Sequence, residues 1–285
     1  PGTETARASV QHLVTAVTLG SFLRGIHYWA AMAMVVLLGL HLVRVFVTGA
    51  FKRPREATWL LGVALVGIVG LFFVSGTILK WDQEAFEAFD HSIELGGVLG
   101  RFLGFWLEPT FGAPMLLRLY TVHVAILPLL FAAVLAGHLL LVKHHGLAPS
   151  PFYRGPQPEP TVPFSSHIGR LAGLTAIVAG IASVLAVLSP PGLGPAPVEG
   201  LEVTKPPWPI LWWYAVENLV GVSGILWATL VVLVALVVTP FVDRGTERHP
   251  WKRLPVLISA AILVAAVVAL TLYALLAPVK PHIEM

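Results

Sequence analysis

Four histidines lie in two long apolar stretches of the chain, and their spacing is nearly the same in both. His27 and His41 are fourteen residues apart, and His123 and His138 are fifteen apart. At about 3.6 residues per turn, either spacing corresponds to roughly four turns of an α-helix. The two histidines of a stretch therefore lie on one face of a helix, separated by about 21 Å along its axis.

Loop charges, given below, predict that the two stretches cross a membrane in the same direction. His27 then lies at the depth of His123, and His41 at the depth of His138. Two imidazoles can bind one haem iron from opposite sides, and such a site suits electron transfer better than oxygen chemistry because no coordination position is free. A single intramembrane histidine is often a hydrogen-bonded packing residue. Four at matched depths favour iron ligation, because ionisable groups inside a bilayer are costly and usually functional.

Glycines and arginines near these histidines fit the same interpretation. Gly62 and Gly76 are also fourteen residues apart, and their missing side chains would let a flat macrocycle approach the backbone. Small residues also serve ordinary helix packing. Arg24, Arg44 and Arg118 lie beside the histidines at the helix ends, where they would pair with haem propionates or extend to lipid headgroups.

The composition is that of a membrane protein. Of the 285 residues, 56% are hydrophobic and only 12% are charged, whereas soluble domains carry about 25% charged residues. Six apolar runs have the roughly 20 residues that a membrane-spanning helix requires. Their limits are 25–48, 58–79, 115–142, 169–189, 212–241 and 254–277. We therefore predict an all-α fold, a polytopic transmembrane helical bundle of about six spans.

Charge and cysteine content exclude several classes of function. The net charge of +3 is small and argues against binding of nucleic acid. Because the chain has no cysteine, it has no disulfide, no cysteine-ligated iron–sulfur or zinc site and no thioether-linked haem. Any metal must be bound by the eleven histidines or the few carboxylates.

Basic residues concentrate in alternate loops and predict the orientation of the spans. The segments 51–56, 143–168 and 243–253 are rich in lysine and arginine, whereas the long loop 80–114 is acidic. The positive-inside rule places the basic segments in the cytoplasm and the loop 80–114 outside. The spans that carry the histidines then run in the same direction, and the His27–His123 pair is the outer one.

Four segments carry a resemblance to a known family: RGIHYWAAM (24–32), HLVRVFVTGAFKRPREATW (41–59), GTILKWDQ (76–83) and RLYTVHVAILPLL (118–130). They resemble cytochrome b of the quinol–cytochrome c reductases (the bc and bf complexes), and most closely the chloroplast and cyanobacterial form. From about residue 165 onward, the chain is similar to the second part of that family, a three-helix module. The resemblance implies a di-haem four-helix-type core and a C-terminal three-helix module.

The resemblance also implies a domain organisation. We expect a haem-binding, N-terminal-type cytochrome b domain over 1–150 and a C-terminal, subunit IV-like domain over 165–285, joined by the proline-rich segment 149–163. Residues 1–29 resemble the segment that follows the family's first helix, so we expect residue 1 to be the edge of a fragment. An upstream cysteine that holds an additional haem in the chloroplast form would lie in that missing part.

By resemblance, the chain is the di-haem b subunit of a bc-type quinol:cytochrome c oxidoreductase, an electron-transfer enzyme. Two haem b groups are implied, the outer bound by His27 and His123 and the inner by His41 and His138. Quinol is oxidised at an outer site, and electrons cross the membrane to an inner quinone site. The implied partners are a Rieske-type iron–sulfur protein, a c-type cytochrome subunit, quinone and a second copy of the chain, in the bacterial cytoplasmic membrane.

Two departures from the family pattern concern the proton path of the outer site. The family has a Pro-Glu-Trp-Tyr motif whose glutamate accepts a quinol proton, but residues 206–209 of this chain read PPWP. Lys80 also stands where the family has a proline. Proline has no titratable group and cannot be a general base. The candidate substitutes are Asp82, Glu84, Glu217 and His91, and Glu217 is the most interesting because burial in an apolar helix raises a carboxyl pKa towards a useful value.

Two other functions remain open at this point. The altered PPWP motif also fits a di-haem, quinone-reactive membrane anchor of another respiratory or photosynthetic complex that does not bifurcate electrons. A haem-free transporter or scaffold would use the histidines to carry protons or to pack helices. An absorption spectrum separates the third hypothesis from the others, and the co-purifying subunits separate the first two.

Overall fold

The computed structural model describes residues 2–98, 115–148, 150–152 and 163–280, and within these ranges the regular structure is entirely helical. Residues 99–114 of the predicted outer loop and most of the proline-rich connector lie outside the described residues. The helices are α1 Thr3–Thr15, α2 Gly20–Val47, α3 Glu56–Leu79, α4 Gln83–Val98, α5 Met115–His145, α6 Phe164–Leu188, α7 Leu211–Val220, α8 Val222–Val242 and α9 Leu254–Leu276.

Six of these helices are long and apolar enough to cross a membrane: α2, α3, α5, α6, α8 and α9. The predicted all-α bundle with six spans is therefore confirmed. Five spans begin and end within a few residues of the predicted limits, because continuous apolar runs of this length have few alternatives to a helix in lipid.

The fifth predicted span, 212–241, is wrong as a single helix. The chain forms the short helix α7 and then α8, and the break falls at Gly221, whose φ is 84°. A side chain is disfavoured at positive φ, and glycine adopts it without penalty. Glu217 therefore lies in the short α7 and not early in the membrane-spanning α8.

The predicted loop 80–114 begins with a helix, α4. Asp82 precedes α4, and its Oδ1 accepts the backbone N–H of Ala85 at 3.1 Å. This is an N-cap interaction, which satisfies one of the free N–H groups at the start of a helix. The charged residues of the segment made it resemble a loop, although apolar residues recur among them.

Small residues let the two halves of the chain pack closely. Helix α6, the first helix after the connector, packs against α2. A Cβ atom built on Gly25 would lie only 2.7 Å from the Cβ of Ala186. Close approach at glycine and alanine is a common way for membrane helices to associate.

The basic segments meet at one end of the bundle. Arg55 donates to the carbonyl of His145 at 2.8 Å, and Lys52 Nζ lies 2.7 Å from Asp243 Oδ1. Arg253 Nε also donates to Asp243, at 2.7 Å. The acidic α4 and the link between α6 and α7 contact each other instead, through bonds such as Gln83 Oε1 to the N–H of Val198.

Candidate functional site

His27 of α2 and His123 of α5 face each other across the bundle. Their ring centroids are 6.2 Å apart, and the ring planes meet at 75°. Two imidazoles that bind one metal ion from opposite sides, each with a nitrogen at about 2 Å, have centroids roughly 6 Å apart. The separation of the two rings therefore fits one haem iron, which His27 and His123 would ligate.

A hydroxyl group from α3 orients His123. Ser75 Oγ lies 2.9 Å from Nδ1 of His123, and the same hydroxyl donates to the carbonyl of Leu71 at 2.6 Å. Because the Ser75 hydrogen is engaged with Leu71, its oxygen accepts the Nδ1–H of the neutral imidazole. The lone pair is then on Nε2, the nitrogen that can ligate a metal.

The inner pair has the same arrangement with a different acceptor. Nδ1 of His138 lies 2.9 Å from the carbonyl oxygen of Thr58. A carbonyl can only accept, so Nδ1 carries the hydrogen and Nε2 of the neutral ring carries the lone pair. His41 is close enough to His138 for the two groups to interact electrostatically.

A widened turn in α5 explains the extra residue between His123 and His138. Residues Val122–Ile126 form a π-helical turn inside α5, and such a turn accommodates one additional residue relative to the α-helix. Fifteen residues that include this turn thus match fourteen regular α-helical residues in α2. The turn precedes Pro128, whose ring would crowd the carbonyl four residues earlier in a regular helix.

The glycines of α3 lie against the imidazoles of α5. A Cβ atom on Gly76 would be 3.0 Å from Cε1 of His123, and one on Gly62 would be 3.4 Å from Cε1 of His138. From the sequence, we expect these glycines to let a macrocycle approach the backbone. In the structure, they give space to the two histidines, which lie at the same two depths of the bundle.

The three predicted arginines lie near the histidine pairs with different surroundings. The guanidinium of Arg24 donates to the carbonyls of Pro191 and Gly192 in the link between α6 and α7. Arg44 is exposed, three residues after His41, and Arg118 is half-buried, five residues before His123. Pairing of these arginines with propionates stays a prediction.

A cavity of about 270 Å³ lies beside the outer histidine pair, close to the lower end of the roughly 300–1,000 Å³ typical of small-molecule sites. Its walls come from α3, α4, the link before α7, α7 itself and α8. Val74 and Thr77 line it, and they flank Ser75 and Gly76, which contact His123. One turn of α3 therefore separates the cavity from the outer histidine pair.

Pro207, which stands where the family motif has its glutamate, lines this cavity. Of the predicted substitutes, Glu84, His91 and Glu217 also line it. Glu84 lies 2.5 Å from Lys80 Nζ. Asp82 is almost completely buried and is not part of the cavity wall. Its Oδ2 accepts the N–H of Gly194 at 2.8 Å and lies 3.2 Å from Lys80 Nζ.

Two side chains that the sequence argument did not consider fix the link between α6 and α7. The buried Glu87 accepts the N–H groups of Val203 and Thr204 at 2.8 and 3.0 Å. Gln83 donates to Glu87 at 2.9 Å and to the carbonyl of Leu201 at 2.6 Å. These bonds hold the link against α4 and so shape the cavity.

His91 lies between two carboxylates on the cavity wall. Its Nε2 is 3.2 Å from Glu202 Oε1, and its Nδ1 is 3.1 Å from Glu217 Oε1. Burial on its own lowers the pKa of His91, but the bonds and charges of Glu202 and Glu217 outweigh burial and raise that pKa to about 10. His91 is therefore a cation at neutral pH.

Sequence reasoning missed Ser75, Thr58 and Glu202. Ser75 directly precedes a glycine that was singled out, but no spacing rule connects it to His123. Thr58 acts through its backbone carbonyl, which has no sequence signature. Glu202 lies over a hundred residues from His91 in the chain, and only the fold brings the two together.

Comparison with known proteins decides the family. A family model described as Cytochrome b(N-terminal)/b6/petB matches residues 32–197, more than half of the chain. The chain belongs to the cytochrome b/b6 family. The matched residues include His41, His123 and His138, and the predicted family resemblance is thus confirmed.

Individual relatives agree with this assignment. Cytochrome b6 of Synechococcus sp. (strain RCC307) is 38% identical over 148 residues, which are 50% of this chain and 68% of that protein. Cytochrome b6 of Chlamydomonas reinhardtii is 37% identical over 153 residues, or 52% of this chain and 71% of that protein.

A solved structure extends the likeness in fold over nearly the whole chain. A chain of a "Hyperthermophilic respiratory Complex III" is similar with a TM-score of 0.78 and 22% identity, over 98% of this cytochrome b and 78% of that chain. Members of the cytochrome b family bind haem b. With its six apolar helices, this chain is an integral membrane protein of that haem-binding family.

Proposed function

We propose that this cytochrome b is the di-haem b subunit of a bc-type quinol:cytochrome c oxidoreductase. The observation that carries the proposal is the presence of two histidine pairs between α2 and α5. In the outer pair, the rings of His27 and His123 are 6.2 Å apart. Haem b bound at each pair supplies a one-electron donor and acceptor. The chain's own part is to fix the imidazoles and to keep Nε2 of His123 and His138 available.

Quinol oxidation is assigned to the cavity between α3, α4 and α7. Its wall is largely apolar and includes Trp213 and Pro207, with a few polar groups, as suits a ring-shaped apolar substrate. Its nearness to Ser75 and Gly76 supports the proposal that quinol binds beside the outer histidine pair. The partners in this role are a Rieske-type iron–sulfur protein and a c-type cytochrome, and the working unit is a homodimer.

The haem proposal is tested by optical spectroscopy of the purified complex. Reduced-minus-oxidised spectra should show b-type bands, and a haem assay should give two haems per chain. His123→Ala should remove one haem and leave the other, because His41 and His138 are on separate turns. Loss of both haems from a folded complex, or of neither, would contradict the pairing.

A second function is favoured by Pro207, which lines the cavity without a titratable group. In that case the chain is a di-haem, quinone-reactive anchor for another redox partner and does not bifurcate electrons. Purification of the intact complex separates the two functions. A co-purifying Rieske-type protein supports the first function, and its consistent absence supports the second.

A further inference from the structure

A carboxylate–imidazole–carboxylate triad, formed by Glu202, His91 and Glu217, lies on the wall of the cavity. The three residues come from three elements: the link before α7, α4 and α7. The side chains of Glu202 and Glu217 are only 5% and 3% exposed, and that of His91 is 17% exposed. Burying three ionisable groups is costly unless they compensate one another, and these groups do so while lining a cavity.

We propose that Glu217 accepts one of the two protons of the quinol and that His91 and Glu202 position it for this role. This inference rests on the proposed quinol oxidation in the same cavity. It assigns the proton acceptor to α7. Pro207 occupies the position of the family's glutamate, and Glu217 lies ten residues beyond it.

The other carboxylates at the cavity are engaged in holding the fold. Glu87 accepts two backbone N–H groups, the Thr204 hydroxyl and the Gln83 amide. Glu84 is paired with Lys80, and Asp82 caps α4 and is not part of the wall. Glu217 differs from these three carboxylates because its Oε1 lies 3.1 Å from Nδ1 of His91, a residue of the same cavity wall.

In the proposed step, both protons and both electrons of the quinol have an acceptor. Oxidation of hydroquinone to quinone breaks two O–H bonds and releases two protons and two electrons. One proton forms a new O–H bond on the carboxylate of Glu217, and the other leaves with the first electron to the iron–sulfur partner. His27 and His123 would hold the haem that accepts the second electron.

The two carboxylates that raise the pKa of His91 are those of Glu202 and Glu217, and further titratable groups lie near by. Helix α4, which carries His91, also carries Glu84, Glu87 and Asp90. The link contributes Glu199 and Glu202, and α7 contributes Glu217. The helices α3 and α8 present the uncharged Val74, Thr77 and Thr229 to the cavity. Mutual coupling is evident at Asp90, whose pKa is raised by burial and by Glu199 and Glu87, against the opposing charge of His91.

The test uses the intact complex with Glu217→Gln, which keeps the shape of the side chain and removes the proton acceptor. We expect quinol oxidation to fall by about 100-fold or more, the usual contribution of a positioned general base. Haem content and chemical reduction of the haems should be unchanged. Glu217→Asp should retain part of the rate, and Glu4→Gln, at an exposed carboxylate in the first turn of α1, is the control and should keep the wild-type rate.

The pH profile tests the positioning role of His91. In His91→Gln the cation beside Glu217 is lost, so the basic limb of the rate profile, which follows the His91 pKa of about 10 in the wild type, should shift away from that value. If Glu217→Gln fails to assemble, this profile decides the matter. A Glu217→Gln rate within twofold of wild type, or an unshifted limb in His91→Gln, overturns the inference while quinol oxidation stands. A wild-type complex that contains two haems but does not oxidise quinol overturns the proposed function instead.

Discussion

Ser75 Oγ and Nδ1 of His123 are 2.9 Å apart, and the Ser75 hydrogen is committed to the carbonyl of Leu71. This hydrogen bond fixes both the tautomer and the orientation of the imidazole before any ligand arrives. A group that hydrogen-bonds the non-ligating ring nitrogen of a histidine typically tunes the basicity of that histidine and its affinity for the metal. The backbone carbonyl of Thr58 orients His138 in the same way, and no substitution of a side chain removes that carbonyl.

We predict that Ser75→Ala weakens haem binding at the outer pair by about 10- to 100-fold, the usual effect of losing such a partner. The inner pair should be unaffected, because its acceptor is a backbone carbonyl. Haem per chain and the two midpoint potentials measure the effect. Ser183→Ala is the control, since that hydroxyl bonds only within α6. Equal effects on both haems would contradict the assignment of Ser75 to His123.

Gly76→Ala should displace His123. The added Cβ would lie 3.0 Å from Cε1 of the ring, whereas at Gly62 the corresponding distance to His138 is 3.4 Å. A contact of 3.0 Å is shorter than the roughly 3.5–4.0 Å at which carbon atoms attract. We therefore expect Gly76→Ala to lower haem occupancy at the outer pair and Gly62→Ala to have a smaller effect at the inner pair.

Gly70→Ala is the control for both glycine variants, since none of the described residues has an atom within 4 Å of a Cβ at that position of α3. The optical bands of the two haems report each pair separately. If Gly70→Ala matched Gly76→Ala, helix propensity rather than contact with His123 would explain the loss.

The membrane spans were predictable because an apolar run of about 20 residues has one stable form in a bilayer. Helical periodicity predicted that the two histidines of each stretch share one helix face, and the loop charges predicted which histidines lie at the same depth. The π turn at Val122–Ile126 was not predicted, although the fifteen-residue spacing and Pro128 are sequence features that accompany it. The break at Gly221 was missed because the apolar run continues through it, and only its φ of 84° shows that the helix ends there.

The cavity wall was less predictable than the spans. Glu217 was a candidate from the sequence, but its neighbour His91 is 126 positions away in the chain, and Glu202 was not considered. Side chains that pair across three elements leave no periodic pattern. Lys80 was noted only as a departure from the family, whereas the structure pairs it with both Asp82 and Glu84.

The buried ion pairs of Asp243 predict a large effect on stability. Lys52, Asp243 and Arg253 are 4%, 8% and 4% exposed, and they join the loop after α2 to the segment before α9. Asp243→Ala leaves two buried cations without their anion, and removing one partner of a buried pair costs about 3–5 kcal/mol. Thermal or denaturant unfolding of the complex measures this loss. Glu247→Gln, in an exposed pair with Lys252, should change the unfolding midpoint little, and equal losses in the two variants would contradict the prediction.

The pKa of His91 predicts how stability depends on pH. Burial opposes its protonation, but Glu202 and Glu217 raise its pKa from 6.5 to about 10. A group whose pKa is raised on folding stabilises the protein fully below its unfolded pKa and loses this contribution as pH rises through the folded value. The unfolding temperature of the complex should therefore fall as pH rises from about 6.5 to about 10. In His91→Gln this part of the decline should vanish, and an identical decline in wild type and variant would show that His91 is not held as a cation between the two glutamates.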